Sequence, residues 1–309
     1  MSKNTVQPPG RLSRDLKRDR ILYLMLLVPM TVVFIFRYVP IFYLIIAFKN
    51  YNFVDGVLGS PWVGLKWFTK LFSYRKFGLI FSNTLKVSFF SLLFGFPAPI
   101  IFALMLNELS NERFKKLVQS VSYLPHFIST VIVIGMMNQL LSPTTGIVNE
   151  VIASLGHDKI MFQSEPKYFV PMYVVSGIWS TLGYSAILYI SALTGIAPEL
   201  YEAAEVDGAG RFGKMWHVTL PGILPTITVL FLMKIGSLLS VGFEKAYLMQ
   251  NDLNVSASEI IGTFVYKQGM LQLNYSYSSA VDMVQGVLNL TLITLFNLAS
   301  RRVADISLW

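Results

Sequence analysis

Apolar residues fall into six long runs, at 21–48, 85–106, 117–141, 168–196, 220–243 and 280–300, separated by polar stretches. Each run reaches the ~20 residues that a helix needs to cross a hydrocarbon core. The pattern predicts an all-α polytopic membrane protein with six transmembrane helices. Arg37 interrupts the first run, but splitting it there leaves a second half too short to cross. The run therefore reads as one long tilted helix. The second run holds Gly95, Pro97 and Pro99. Prolines inside a span free carbonyls that neighbours or a polar cavity must satisfy, so this helix reads as buried in the bundle and locally broken. The loops at 49–84 and 244–279 hold Trp, Tyr, Asn and Ser and read as short interfacial helices, with SPWVGLKWFTKLF (60–72) the most amphipathic stretch.

Composition agrees with a lipid solvent. Only 14% of residues are charged, against about 25% in soluble domains. There is no cysteine, so disulfides and thiolate zinc sites are excluded. The net charge of +8 fits charge gathered at membrane faces. The run after the basic tail is too long for a signal peptide, and no A-x-A-like cleavage site follows, so it reads as an uncleaved first span. Six spans put both termini on one side. The clusters in 1–20, Arg113, Lys115 and Lys116 in 107–116, Arg211 and Lys214 in 197–219, and Arg301 and Arg302 in 301–309 assign that side to the cytoplasm. The expected organisation is a basic tail over 1–20, a membrane domain over 21–300 and a short tail over 301–309.

The loop 198–221 lies between the fourth and fifth runs and carries the densest signal. Pro198 suits a first helical turn, and Glu199, Glu202 and Glu205 suit its dipole end. Tyr201, Ala203 and Ala204 give it apolar surface with small residues, and Gly208 and Gly210 are expected to end or bend it. The stretch Gly208–Gly213 also fits G-x-G-x-x-G. A dinucleotide turn needs a strand before it, a helix after it and an acid ~20 residues on. Here helix formers precede it, and the residues ~20 on open an apolar span without an acid.

Glu202-Ala203-Ala204, Asp207-Gly208-Ala209 and Leu220-Pro221 resemble the EAA motif of ABC-importer permeases. Stretches at 62–72 (WVGLKWFTKLF), 83–85 (Asn-Thr-Leu) and 122–130 (SYLPHFIST) are similar to its binding-protein-dependent carbohydrate branch (MalF-like). SPTTGIVN at 142–149 and ISLW at 306–309 resemble its LplB-like subset, which imports oligosaccharides and polysaccharide fragments. The resemblance implies a type I importer permease fold in a bacterial cytoplasmic membrane. It implies that Tyr201, Glu202, Ala203, Ala204, Asp207, Gly208, Ala209, Gly210, Leu220 and Pro221 form a cytoplasmic coupling helix and its exit. That helix would dock on a partner ATPase, with Glu202 as its polar anchor and Pro221 setting re-entry of the fifth span. The implied partners are a second permease in a heterodimer, two ATPase subunits and an extracytoplasmic solute-binding protein. No cofactor belongs to this chain, no nucleic acid is involved, and ATP and Mg act on the ATPase.

Matched by distance from Glu202 and Pro221, the family's sugar-site positions fall on Gly177, Ser180, Thr181 and Tyr184 and on Lys234, Ser237 and Leu238. Each set follows i, i+3, i+4 spacing and shares one helix face. Tyr184 suits stacking on a pyranose ring. A lysine at the bilayer centre costs at least ~2.5–3.5 kcal/mol. Lys234 therefore reads either as a path-facing cation or as a structural group, ion-paired or bonded to freed carbonyls. Gln285, Asn289 and Asn297 read as interhelical glue or pathway, and Asp282 as interfacial.

Two other functions compete. An intramembrane enzyme needs a nucleophile with its base or a metal cluster. His126, His157 and His217 lie in separate segments, with no H-E-x-x-H or G-x-S-x-G. An ion-coupled secondary carrier calls for inverted repeats and acids inside spans, and gives the loop 198–221 no role.

Overall fold

In the computed structural model, residues 18–304, 307 and 308 are described. Residues 1–17 of the tail expected over 1–20, and 305, 306 and 309 of that over 301–309, lie outside them. The described residues are almost entirely helical, and no strand forms among them beyond an isolated bridge between Lys49 and Trp62. Five helices are long and apolar enough to cross a membrane: α1 (Arg20–Phe48), α3 (Phe77–Asn107), α7 (Pro166–Thr194), α9 (Arg211–Gly236) and α12 (Tyr275–Ala304). Shorter helices join them: α2 (Lys66–Phe72), α6 (Ile147–Ser154), α8 (Pro198–Val206), α10 (Phe243–Met249) and α11 (Ile261–Tyr266).

The third apolar run departs from a straight span. It forms α4 (Glu112–Phe127) and α5 (Thr130–Leu140), bent by 100°. Pro125 tightens the end of α4 into a 3-10 turn, and Ile128 and Ser129 are extended, so no carbonyl ladder crosses the elbow. The two can cross only as a broken span. Prolines also shape α1 and α9. Single π turns over Phe34–Tyr38 and Met215–Thr219 lie just before Pro40 and Pro221. Each lets the helix absorb a residue that lacks an N–H donor.

Polar side chains decide how the loops sit. α3 starts eight residues before its apolar run because 77–84 remains helical while binding the neighbouring loop. Asn83 donates its amide to the Ser256 and Glu259 carbonyls, and the Thr84 hydroxyl accepts from the Ile261 N–H. Lys86, already inside the second apolar run at 85–106, is a second lysine within a spanning helix besides Lys234. Trp67, expected near a lipid interface, is buried and donates its indole N–H to the Lys49 carbonyl. In the 142–149 stretch, Asn149 donates to the Leu141, Ser142 and Ile160 carbonyls and accepts from the Ile160 N–H. One fully buried amide thus closes that loop.

The core divides into three clusters. One joins α2, α11 and α12 around Leu71, Phe264 and Tyr277. A second packs Val87, Ile134, Phe169 and Tyr173, and a third packs Ile100, Ala186, Tyr189 and Ile223. Between the second and third clusters, α3 presents Ser88, Ser91 and Gly95 and α7 presents Gly177, Ser180 and Thr181 toward each other's side of the bundle. A gap remains there between the two cores.

Candidate functional site

The loop 198–221 forms a short helix ended by a turn. Pro198 occupies the first turn of α8. At its C-terminus, Ala209 donates its N–H to the Ala204 carbonyl at 2.8 Å, and Gly208 donates to Glu205 at 3.0 Å. These are the two bonds of a Schellman cap, which requires a left-handed residue between them. Gly208 supplies it with φ +79°. Gly210 does not share this role: it is extended, at φ −69°, ψ 179°. The expectation that both glycines make the bend is corrected, because Gly208 alone completes the cap.

Two contacts fix α8 to the span that follows. The Tyr201 hydroxyl lies 3.1 Å from the Thr219 hydroxyl, and Lys214 pairs with Glu205 at 3.1 Å. Leu220 and Pro221 open the regular part of α9 just beyond Thr219. Glu202, Ala203, Asp207 and Gly208 are exposed, while Ala204 and Ala209 are partly covered. Four large apolar side chains on this loop are also exposed, Val206 at 88% and Phe212 at 77% the most, with Trp216 and Leu200 less so. The G-x-G-x-x-G stretch is preceded by α8, so the strand that a dinucleotide turn requires is absent at this place.

A cavity of about 760 Å³ fills the gap between the second and third clusters. All seven residues singled out for a substrate path line it: Gly177, Ser180, Thr181 and Tyr184 from α7, Lys234 from α9, and Ser237 and Leu238 just beyond α9. α3 contributes Ser88, Ser91 and Gly95, and the elbow between α4 and α5 contributes His126. One wall is irregular backbone, from Ser237 to Gly242. Such backbone is tolerated at membrane depth only where protein or a cavity satisfies it. Here the Ser88 hydroxyl donates to the Leu238 carbonyl and Gln285 to the Leu239 carbonyl. Asn289 accepts from the Leu239 N–H and donates to the Ser240 hydroxyl, and the Tyr173 hydroxyl donates to the Gly242 carbonyl. Gln285 and Asn289 therefore act as glue for the wall. Asn297 accepts from the Leu308 N–H and ties the C-terminal end to α12.

This break moves Lys234 from the middle of an expected span into the last turn of α9. The C-terminal end of the helix dipole favours a cation there. Its ammonium has no hydrogen bond or ion pair among the described residues, so neither form of the structural reading has a partner there. Asp282, expected at the start of the last span, lies two turns inside α12, which begins at Tyr275.

Two cavity groups escaped the sequence reading. Lys245, in the loop 244–279, reaches back from α10 and donates to the Tyr173 carbonyl at 2.6 Å, its ammonium 4.4 Å from the Tyr173 ring centre. Burial pushes this lysine down to about 8. Gly177 faces the ammonium, and a Cβ there would stand 3.0 Å from it. His126 stacks flat on Tyr184, ring centres 3.8 Å apart. One face of Tyr184 is thus already covered, and only the other is free for a sugar ring. Neither group had a local signal, since both reach the cavity across a bend in the chain.

Comparison with known proteins places these features. The sequence model of a family described as "Binding-protein-dependent transport system inner membrane component" matches residues 88–306. The chain is 42% identical over 295 residues to the polygalacturonan/rhamnogalacturonan transport system permease protein YteP of Bacillus subtilis (strain 168), covering 96% of this chain and 92% of that protein. It is 44% identical over 278 residues to protein LplB of the same organism, covering 90% of this chain and 87% of the other. Among solved structures, it matches a chain from the crystal structure of a bacterial alginate ABC transporter in complex with an alginate pentasaccharide-bound periplasmic protein. That match has a TM-score of 0.88 at 39% identity, over 97% of this chain and 100% of the other.

Proposed function

The chain belongs to the family of binding-protein-dependent transport system inner membrane components, and from that premise we propose that its cavity is the path by which an oligosaccharide enters the cell. The protein is a multi-pass membrane permease of the carbohydrate ABC-importer kind and does no catalysis itself. The observation that carries the proposal is convergence. Two sets of positions carried over from the family resemblance, one on α7 and one at and just beyond the end of α9, meet on one cavity of about 760 Å³, lined by hydroxyls, an aromatic face and cations. Such groups match the hydroxyls and apolar ring faces of a sugar.

Partners follow from what the chain leaves uncovered. Thr181, Tyr184, Lys234 and Ser237 line the cavity yet are exposed in this chain alone. A lysine facing lipid at depth costs at least ~2.5 kcal/mol, so a second permease closes this side and makes the path a heterodimer interface. Val206 and Phe212 are apolar anchors for an ATPase subunit, with Glu202 the polar contact beside them. Two ATPase subunits hydrolyse ATP with Mg, and this chain holds no cofactor. An extracytoplasmic solute-binding protein delivers the sugar. Both termini lie in the cytoplasm with loop 198–221, where Arg211 and Lys214 obey the positive-inside rule. ATP-driven closure pushes α8, and its tie from Tyr201 to Thr219 passes the motion to α9.

The lack of cysteine gives a clean test. In the assembled complex, Ser180→Cys should react with a small thiol reagent, and the transported oligosaccharide should slow that reaction. Ser154→Cys, on the exposed end of α6, should react at a rate the sugar leaves unchanged. Equal, sugar-independent labelling at both sites rejects the path.

A further inference from the structure

The charge in the cavity is one-sided. Lys234 and Lys245 line it with His126, and no aspartate or glutamate does so among the described residues. The acids nearest in the chain are engaged or turned away. Glu259 pairs with Lys267 at 2.8 Å, and Glu244, beside Lys245 in sequence, is exposed and forms no part of the wall. Lys245 spends one of its three N–H donors on the Tyr173 carbonyl. Its other two donors, and all three of Lys234, have no acceptor among the described residues. Two ammonium groups sharing one cavity at membrane depth without a counter-charge are costly once the second permease closes it, unless an anion arrives. Lys234 has no partner among the described residues to give it a structural role, and the Tyr173 carbonyl and ring hold Lys245 without supplying a counter-charge.

We infer that the cavity selects acidic oligosaccharides, with Lys234 and Lys245 receiving the carboxylates of uronic acid rings. The inference rests on the cavity being the sugar path and adds the class of sugar. An ammonium paired with a carboxylate forms charge-assisted hydrogen bonds, roughly twice as strong as neutral ones. The serine hydroxyls and the free face of Tyr184 serve the rest of each ring. Neutral sugars leave both charges unanswered, so the cavity discriminates against them by desolvation as well as by lost contact. Gly177 leaves room for the Lys245 ammonium to sit beside α7, where a carboxylate on a sugar stacked at Tyr184 would meet it.

The test uses the whole nucleotide-free complex, both permeases with the ATPase subunits, in nanodiscs without the binding protein. In that form the cavity is the sugar site under test. Equilibrium binding is measured for trigalacturonate, for its carboxyl-reduced neutral counterpart and for a sulfated galactose trisaccharide. Trigalacturonate should bind at least ~10-fold more tightly than the reduced sugar, about 1.4 kcal/mol. Lys234→Met and Lys245→Met should each collapse that ratio, trigalacturonate losing affinity relative to the reduced sugar, and Lys234→Arg should preserve it. The ratio separates recognition from folding, because a merely misassembled complex loses both sugars together. Co-purification of the ATPase subunits checks assembly.

A ratio that survives both methionine substitutions overturns the inference. So does a sulfated trisaccharide that binds as tightly as trigalacturonate with the same lysine dependence. If the reduced sugar binds as well as the acid, and Tyr184→Ala weakens both, the charge inference falls while the path reading stands. If no sugar binds, the path reading falls too.

Discussion

Replacing Gly208 tests whether the turn after α8 transmits force. Its φ of +79° is the left-handed region, and both cap bonds depend on it. A Cβ built there meets nothing within 4 Å, so the cost of a side chain comes from the backbone alone. A non-glycine residue in this region costs about 1–2 kcal/mol, more when β-branched and less for asparagine. If the turn can relax to a right-handed alternative, that cost lowers the population of the capped form by roughly 5- to 30-fold, at 1.4 kcal/mol per decade. Coupling efficiency should therefore fall in the order Gly, Asn, Ala, Val. The assay is ATP hydrolysed per sugar imported by the assembled importer in proteoliposomes, with the solute-binding protein present. Gly208→Val should hydrolyse ATP with little uptake, and Gly208→Asn should stay near the parent. Gly210→Ala is the contrast, because extended backbone with open space accepts a side chain. It should leave the chain's thermal stability unchanged. Tight coupling in Gly208→Val, or an asparagine variant no better than alanine, would refute the reasoning.

Asn289→Leu should loosen the irregular wall, since it orphans the Leu239 N–H and leaves the Ser240 hydroxyl with Gln285 as its donor. Interhelical polar contacts in membranes average about 0.6 kcal/mol and reach about 1.7, so a loss of about 1–3 kcal/mol should appear as a lower melting temperature in detergent. Asn149→Ala removes donor and acceptor from a fully buried loop clamp and should expose the 142–160 segment to protease, with α7 still protected. Lys245 supplies a pH test. Its ammonium, pushed down to about 8, is charged below that value and neutral above it, and a bound carboxylate moves the transition upward. The affinity ratio of trigalacturonate over its reduced form should fall between about pH 7 and about pH 10, and should stay flat in Lys245→Met.

The solvent decides what a sequence can reveal here. Lipid forces each crossing to be apolar and helical, so the runs at 21–48 and 168–196 lie on α1 and α7 almost residue for residue. Helix starts with polar partners were hidden. The first two turns of α3 read as loop because Ser82, Asn83 and Thr84 look like loop residues, and the partners of Asn83 and Thr84 lie some 170 positions away, at Ser256 and Ile261. Breaks inside uniform apolar runs were also hidden. Nothing in 220–243 distinguishes Ile235 from Leu239, yet the helix ends between them because Ser88, Gln285 and Asn289 offer the wall its bonds. The path positions on α7 and at the end of α9 were legible only through the family resemblance, counted from Glu202 and Pro221. Lys245 and His126 were not, because a cavity assembled across an elbow and a loop has no period in sequence. The acceptor pattern of Gly208 was readable in kind, while only the observed φ separated its role from that of Gly210.

The central claim is that this chain forms a sugar path driven by a partner's ATP hydrolysis. Its most direct test is uptake of a labelled acidic oligosaccharide into proteoliposomes that hold this chain with its second permease and ATPase subunits, with binding protein on the delivery side. The account predicts uptake only with ATP on the ATPase side and only with every subunit present, abolished by Gly208→Val. Uptake by this chain alone down an ion gradient, indifferent to ATP and to the ATPase, would contradict it.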